Sequence, residues 1–220
     1  MNIKWIIYSI LVLAMVSGSG ATVLWEDEFP SLSNINVYGT PSYSFDGDAL
    51  VTKDMYLWTE DLVDPATDNL YVSFDYKFTY TADPNEDNGF GLNLGAVASP
   101  WIWDGLYMWN SSSYCGDTYG IQTSSTQPCL DFFTENNGEY NHFEIKYDRI
   151  ADLMTVSMNG VERYDTPLPA NFIFVNGFSM VIEFWPNPDT QDMYLKNIII
   201  STDSQAPPYS CPFDMIVDLF

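Results

Sequence analysis

Apolar and polar residues alternate with a period of two along much of this chain. In Tyr71–Phe78, the residues Val72, Phe74, Tyr76 and Phe78 fall on one side and Ser73, Asp75 and Lys77 on the other, the spacing of a strand with one buried face. His142–Asp148 repeats the pattern with Phe143, Ile145 and Tyr147 inward. Leu153–Asn159 follows after a short Asp148–Asp152 turn, and Asn159-Gly160 is a strong hairpin signal. Phe178–Phe184 and Met193–Ile200 read as two more strands, and Val23–Trp25, Ala49–Thr52, Gly89–Val97 and Gly120–Gln122 as shorter ones. Beyond the first residues no stretch sustains the helical period. Strands divided by Gly, Asn, Asp and Pro turns predict an all-β fold, an antiparallel β-sandwich or jelly roll.

The two ends break the pattern. Met1–Lys4 is a short positive region, and Trp5–Val16 is an uncharged run. Ser17-Gly18-Ser19-Gly20-Ala21 then supplies small residues, with Ser19 and Ala21 placed as the −3 and −1 positions of a cleavage site. The run is shorter than the roughly 20 apolar residues of a spanning helix. Residues 1–21 therefore read as an export signal, residues 22–204 as the sandwich domain and residues 205–220 as a tail. The expected location is secreted or at the cell surface, with no membrane attachment after cleavage. The tail ends in apolar Met215–Phe220, which either covers the domain's own edge or exchanges with a neighbouring copy.

Charge narrows the partners. With 30 Asp+Glu against 7 Lys+Arg, the net charge is −23. Such a surface repels phosphate, which excludes nucleic acid and anionic lipid as general partners. The 15 Tyr, 14 Phe and 7 Trp are those of a folded chain, not of an acidic disordered one. Three cysteines in an exported chain suit a Cys115–Cys129 disulfide across a polar loop, with Cys211 free or bound to another chain, and the spacing leaves other pairings open.

The order of segments resembles the concanavalin A-like lectin/glucanase superfamily, and its laminin-G-like jelly-roll domains in particular. The likeness is carried by the opening Leu24-Trp25-Glu26-Asp27-Glu28-Phe29, the Leu70–Phe78 strand and the Gly-rich Asn88-Gly89-Phe90-Gly91-Leu92. It continues through Asn141–Asp148, the hairpin Val156-Ser157-Met158-Asn159-Gly160-Val161 and the closing Tyr194–Ile200, where Lys196 replaces the usual acid. It covers roughly residues 23–202 and implies a fold rather than an activity. Members that hydrolyse β-glucans carry alternating carboxylates on one strand. Glu26-Asp27-Glu28 lacks that spacing, and Asp75 and Glu183 are single acids on the polar faces of their strands. A glycosidase would have to pair such acids from different strands. His142, the only histidine, reads as a surface residue at a strand start and argues against a His-rich metal site or a Ser-His-Asp triad.

The densest aromatic patch, Trp101–Asn110, looks loop-like around Gly105. Its Trp101, Trp103, Tyr107 and Trp109 offer flat faces for sugar rings and Asp104 an acceptor for hydroxyls, with Trp185 as a secondary candidate. Ordinary core packing is the competing reading. Asp83, Asn85 and Asp87 space oxygen ligands at i, i+2 and i+4, as at the start of a calcium loop, although a soluble turn explains them equally. Glu26 and Asp27 form a second possible set. The expected function is an exported, non-catalytic glycan-binding sandwich supported by calcium. The alternatives are a structural subunit of an extracellular filament or surface layer that self-assembles through its tail, and a secreted glycoside hydrolase or lyase.

Overall fold

The computed structural model describes residues 22–27, 29, 31–52, 54–77, 88–96, 106–110, 119–122, 131–132, 138–168, 177–185 and 192–204. Among them there is no helix, and every strand pairing is antiparallel. In chain order the strands are β1 (Val23–Asp27), β2 (Asn36–Val37), β3 (Tyr43–Asp46), β4 (Ala49–Thr52), β5 (Met55–Trp58), β6 (Asn69–Lys77), β7 (Asn88–Ala96) and β8 (Leu106–Asn110). They continue with β9 (Tyr119–Gln122), β10 (Asp131–Phe132), β11 (Tyr140–Asp148), β12 (Leu153–Met158), β13 (Val161–Pro167), β14 (Phe178–Trp185) and β15 (Met193–Ser201). An eight-stranded sheet runs β13-β12-β11-β6-β15-β4-β3, with β1 also on β15. A seven-stranded sheet runs β10-β9-β8-β7-β14-β5-β2.

Period-two burial joins the two sheets. Val72, Phe74 and Tyr76 of β6 and Phe143, Ile145 and Tyr147 of β11 are buried from one sheet. Phe90, Leu92 and Leu94 of β7 and Phe178, Met180, Ile182 and Phe184 of β14 are buried from the other. The aromatic rings interdigitate between the layers: Phe90 lies 5.3 Å from Phe74 and 4.7 Å from Tyr76 across the sandwich, and 5.4 Å from Phe184 beside it. Pairs at this separation add to the area they bury.

Turn chemistry sets the registers. Asn159 and Gly160 both have positive φ (52° and 75°), the conformation that a two-residue hairpin between β12 and β13 requires. The Asn159 side chain then ties the turn to β11, accepting from the His142 N–H and donating to Asn141 Oδ1, each at 2.9 Å. At the other end Asp148 Oδ1 accepts from the N–H groups of Ile150 and Ala151, closing the β11–β12 turn.

Several sequence expectations change, and β2, β5 and β10 are further strands that the pattern had not marked. Residues 106–110 form a strand, not a loop; Leu106, Tyr107, Met108 and Trp109 are apolar on both sides, so no alternation marked it. β13 was not expected because it is mostly exposed and its side chains are polar. β3 alternates aromatic Tyr43 and Phe45 with polar Ser44 and Asp46, but it is only four residues long and exposed along its whole length at a sheet edge, so the alternation buries no face. Residues 1–21, the 205–220 tail, and Cys115, Cys129 and Cys211 lie outside the described residues.

Candidate functional site

Alternation that buries Ile182 and Phe184 turns Ser179, Val181 and Glu183 to the outer face of the seven-stranded sheet. Register then assembles that face in rows across the strands. One row holds Tyr56 of β5, Glu183 of β14, Gly91 of β7 and the positions of Tyr107 in β8 and Gln122 in β9. Tyr38 extends it beyond β5, its N–H bonded to the Tyr56 carbonyl at 3.0 Å and its ring edge-on to Tyr56 at 6.4 Å. A second row holds Asn36, Trp58, Val181 and Asn93. A third holds the positions of Trp185, Gly89, Trp109 and Gly120. Gly89 and Gly91 are therefore two neighbouring side-chain-free positions between β14 and β8, with Asn93 next to them on the same face, and all three are buried, a pattern found where another backbone or a ligand approaches closely.

Glu183 is the chemical centre of this face. Its residue is 4% exposed, and its Oε2 is buried with no hydrogen-bond partner. Burial pushes its carboxyl up to about 7. An unpaired buried acceptor costs about 1–3 kcal/mol, which a hydroxyl donor seated beside Gly91 would recover.

The other acid singled out by the sequence, Asp75, lies on the opposite outer surface. It projects from β6 in the eight-stranded sheet, with Phe74 and Tyr76 turned to the core. Asp75 and Glu183 thus stand on opposite sides of the core and cannot act as a catalytic pair. Asp75 is instead a structural hub. Its Oδ1 accepts from His142 Nδ1 at 2.8 Å and its Oδ2 from Asn197 Nδ2 at 2.6 Å. Because a carboxylate only accepts, the proton of the imidazole sits on Nδ1. His142 is accordingly a half-buried partner of Asp75, with Nε2 buried, rather than a free surface histidine. Asn197 reaches it from a left-handed position (φ 53°) where the β6–β15 register shifts.

Burial works to raise the Asp75 carboxyl, but the bonds from His142 and Asn197, with the charges of His142 and Lys196, outweigh it and hold the group below its ordinary 3.8. A depressed acid stabilises the fold above its unfolded value and loses that contribution as pH falls through the folded value. Asp75→Ala is expected to cost about 2 kcal/mol at neutral pH, since bonds to an ionised acceptor are the stronger kind. Urea denaturation should show this difference shrinking as pH falls below 3.8; a difference that stays constant down to strongly acidic pH would deny the carboxylate this role.

Of the residues expected to bind ligand, Tyr107, Trp109 and Trp185 are brought by register to the rows beside Gly91 and Gly89. Trp101, Trp103 and Asp104 lie outside the described residues, as do Asp83, Asn85 and Asp87 of the calcium loop. Among the described residues no group of three or more His, Cys, Asp or Glu is placed to hold a metal. Asp27 is buried, and its Oδ1 accepts from the Phe29 N–H at 2.7 Å, so that oxygen is engaged in a local turn. Sequence reasoning missed Tyr38, Tyr56, Trp58 and Asn93. For Tyr56 and Trp58 the signal was alternation with buried Met55, Leu57 and Thr59, which names a face but not its occupants; Tyr38 and Asn93 carried no such signal.

No family model matches the sequence, and no curated protein does. Solved structures do match. The Emp47p carbohydrate recognition domain aligns over 86% of this chain and 99% of its own, with a TM-score of 0.57 and 11% identity. The fold is an antiparallel β-sandwich, the fold these domains share. The CBM2 module of the evolved Dit of Lactobacillus casei BL23 phage J-1 aligns over 83% of this chain and 96% of its own, with a TM-score of 0.61 and 8% identity. A sialidase aligns over 84% of this chain at a TM-score of 0.56 and 13% identity, but the likeness spans only 19% of the sialidase. At such identities the likeness is one of fold.

Proposed function

We propose that this chain is an exported, non-catalytic glycan-binding protein whose ligand lies on the outer face of the seven-stranded sheet. The observation that carries this reading is the juxtaposition of the side-chain-free Gly89 and Gly91 positions with the partnerless Oε2 of Glu183. Side-chain-free positions flanked by aromatic ones suit the C–H face of a sugar ring, and the buried acceptor suits one of its hydroxyls. The carbohydrate recognition domain among the fold neighbours supports it. Hydrolysis by the usual route needs two carboxyls flanking one bond, and Asp75 is on the far surface. Export rests on residues 1–21 and calcium on Asp83, Asn85 and Asp87, so calcium enters through those residues and not through Glu183.

A broad glycan array, run with calcium and again with EDTA, tests the reading. Binding to one glycan class is expected, and Gly91→Val, which fills that position, is expected to weaken it at least about tenfold, roughly 1.4 kcal/mol, with the melting temperature as the check on folding. Binding that survives EDTA removes calcium from the proposal. Full binding by a folded Gly91→Val protein moves the site elsewhere. A blank array favours the structural-subunit reading, which size analysis after deletion of residues 206–220 then examines.

A further inference from the structure

At one edge of the sandwich the chain passes from sheet to sheet. β2 ends at Val37 on the rim of the seven-stranded sheet, β3 begins at Tyr43 on the rim of the eight-stranded one, and residues 38–42 bridge them. The bridge is pinned at both ends: the Tyr38 N–H donates to the Tyr56 carbonyl at 3.0 Å, and Thr52 Oγ1 donates to the Ser42 carbonyl at 3.2 Å. Gly39, at φ +74°, makes the turn between the two pins. Beside the bridge opens a cavity of about 290 Å³, lined by Tyr38, Pro41, Asp54 and Tyr56, near the lower end of the range for small-molecule sites.

Two walls of this cavity are aromatic and stand at a steep angle. The Tyr38 and Tyr56 rings lie 6.4 Å apart at 73° to one another, and Tyr38 is 66% exposed. Asp54 is exposed and makes no hydrogen bond or ion pair with another described residue. The surrounding sequence is acidic: residues 46–64 hold Asp46, Asp48, Asp54, Glu60, Asp61 and Asp64 against the single base Lys53. In a chain of net charge −23, an anion is repelled from such a place and a cation is attracted. Tyrosine faces add their own attraction for a cation, a pairing this protein already makes internally where Lys77 Nζ lies 3.6 Å from the centre of the Tyr194 ring. A flat sugar ring stacks on one aromatic face at a time, whereas two steeply angled rings close around a compact, rounded group.

We infer that this corner is a binding site for a quaternary ammonium head group, seated against Tyr38 and Tyr56 with Asp54 as its counter-ion. The N-methyl groups of such a head spread its charge over a rounded apolar surface that touches both rings at once. A primary ammonium, compact and strongly hydrated, must first give up its water. A neighbouring cavity of about 350 Å³ shares Thr40, Pro41 and Asp54 with the first and leaves room for the rest of the ligand. The site is separate from the Glu183 face and stands whether or not the protein binds glycans.

An NMR titration of the whole protein with choline chloride tests it, against the neutral tert-butyl alcohol in which carbon replaces the charged nitrogen. Choline is expected to bind in the millimolar range, and the neutral alcohol at least about tenfold more weakly. Tyr38→Ala and Asp54→Asn are each expected to weaken choline binding about threefold or more, while Tyr38→Phe, which keeps the ring, binds as the wild type does. Both side chains are exposed, so the variants are expected to fold, and their melting temperatures check this. Absence of saturable choline binding overturns the inference. Equal affinity for the neutral alcohol does so too, as does unchanged choline affinity in a folded Tyr38→Ala protein. Displacement of choline by simple methyl glycosides would assign the corner to a sugar and likewise overturn it.

Discussion

Phe90→Ala is expected to destabilise the protein by about 3–5 kcal/mol. Phe90 is fully buried, and its ring touches Phe74 and Tyr76 from the facing sheet and Phe184 from its own. Removing it leaves a void lined by three aromatic rings whose backbones are fixed by ladders on both sides: β7 is paired with β8 and β14, and β6 with β11 and β15. Neither sheet can move into the gap without breaking registry, so the site collapses poorly and the cost falls at the high end for a large-to-small change. Since domains of this kind are held by about 5–15 kcal/mol in all, the variant should lose a large part of its margin. Urea denaturation with an unchanged slope is the measurement. A loss below about 1 kcal/mol would mean that the two sheets are not joined through this ring cluster.

Glu183→Gln is expected to stabilise the free protein at alkaline pH and to do little at acidic pH. Burial raises the Glu183 carboxyl from its ordinary 4.5 to about 7. The folded chain therefore keeps a proton that the unfolded chain releases. As pH climbs from 4.5 toward 7 the unfolded state is increasingly favoured, and above 7 the penalty is complete, at most about 3 kcal/mol. Glutamine never ionises, so the wild-type and variant stabilities should coincide near pH 4.5 and diverge on the alkaline side. Asp75 acts with the opposite sign and is present in both proteins, so it cancels from the difference. Parallel pH profiles would show that Glu183 is solvated in solution and take away the basis for a ligand hydroxyl there. A saturating glycan that donates to Oε2 is expected to narrow the gap at alkaline pH.

The strands β6, β11, β12, β14 and β15 were legible because each buries one face and leaves the other polar, and period two is the only pattern that can do both. Asn159-Gly160 was legible because few dipeptides accept two consecutive left-handed positions. β8 was not, since its residues are apolar on both sides, and β3 and β13 were not, since edge strands owe little to the core.

The candidate site divides in the same way. Local alternation told that Asp75 and Glu183 each leave the core side of their strands. Which outer surface each one joins depends on sheet order, and sheet order is decided by pairing between segments far apart in the chain, so the two acids that a glycosidase would have had to pair are on opposite sides of the molecule. The same holds for His142, whose partners Asp75 and Asn197 come from β6 and β15. A glycine-rich strand was visible in residues 88–92, but its glycines become a site only when cross-strand register sets Glu183 beside Gly91 and Tyr56 beside Glu183. The sequence by itself determined the fold class, the buried face of each long strand and the acidity of the surface, because these follow from near neighbours and from composition. Only the tertiary structure decided which outward residues meet, because that depends on long-range registry that no local pattern encodes.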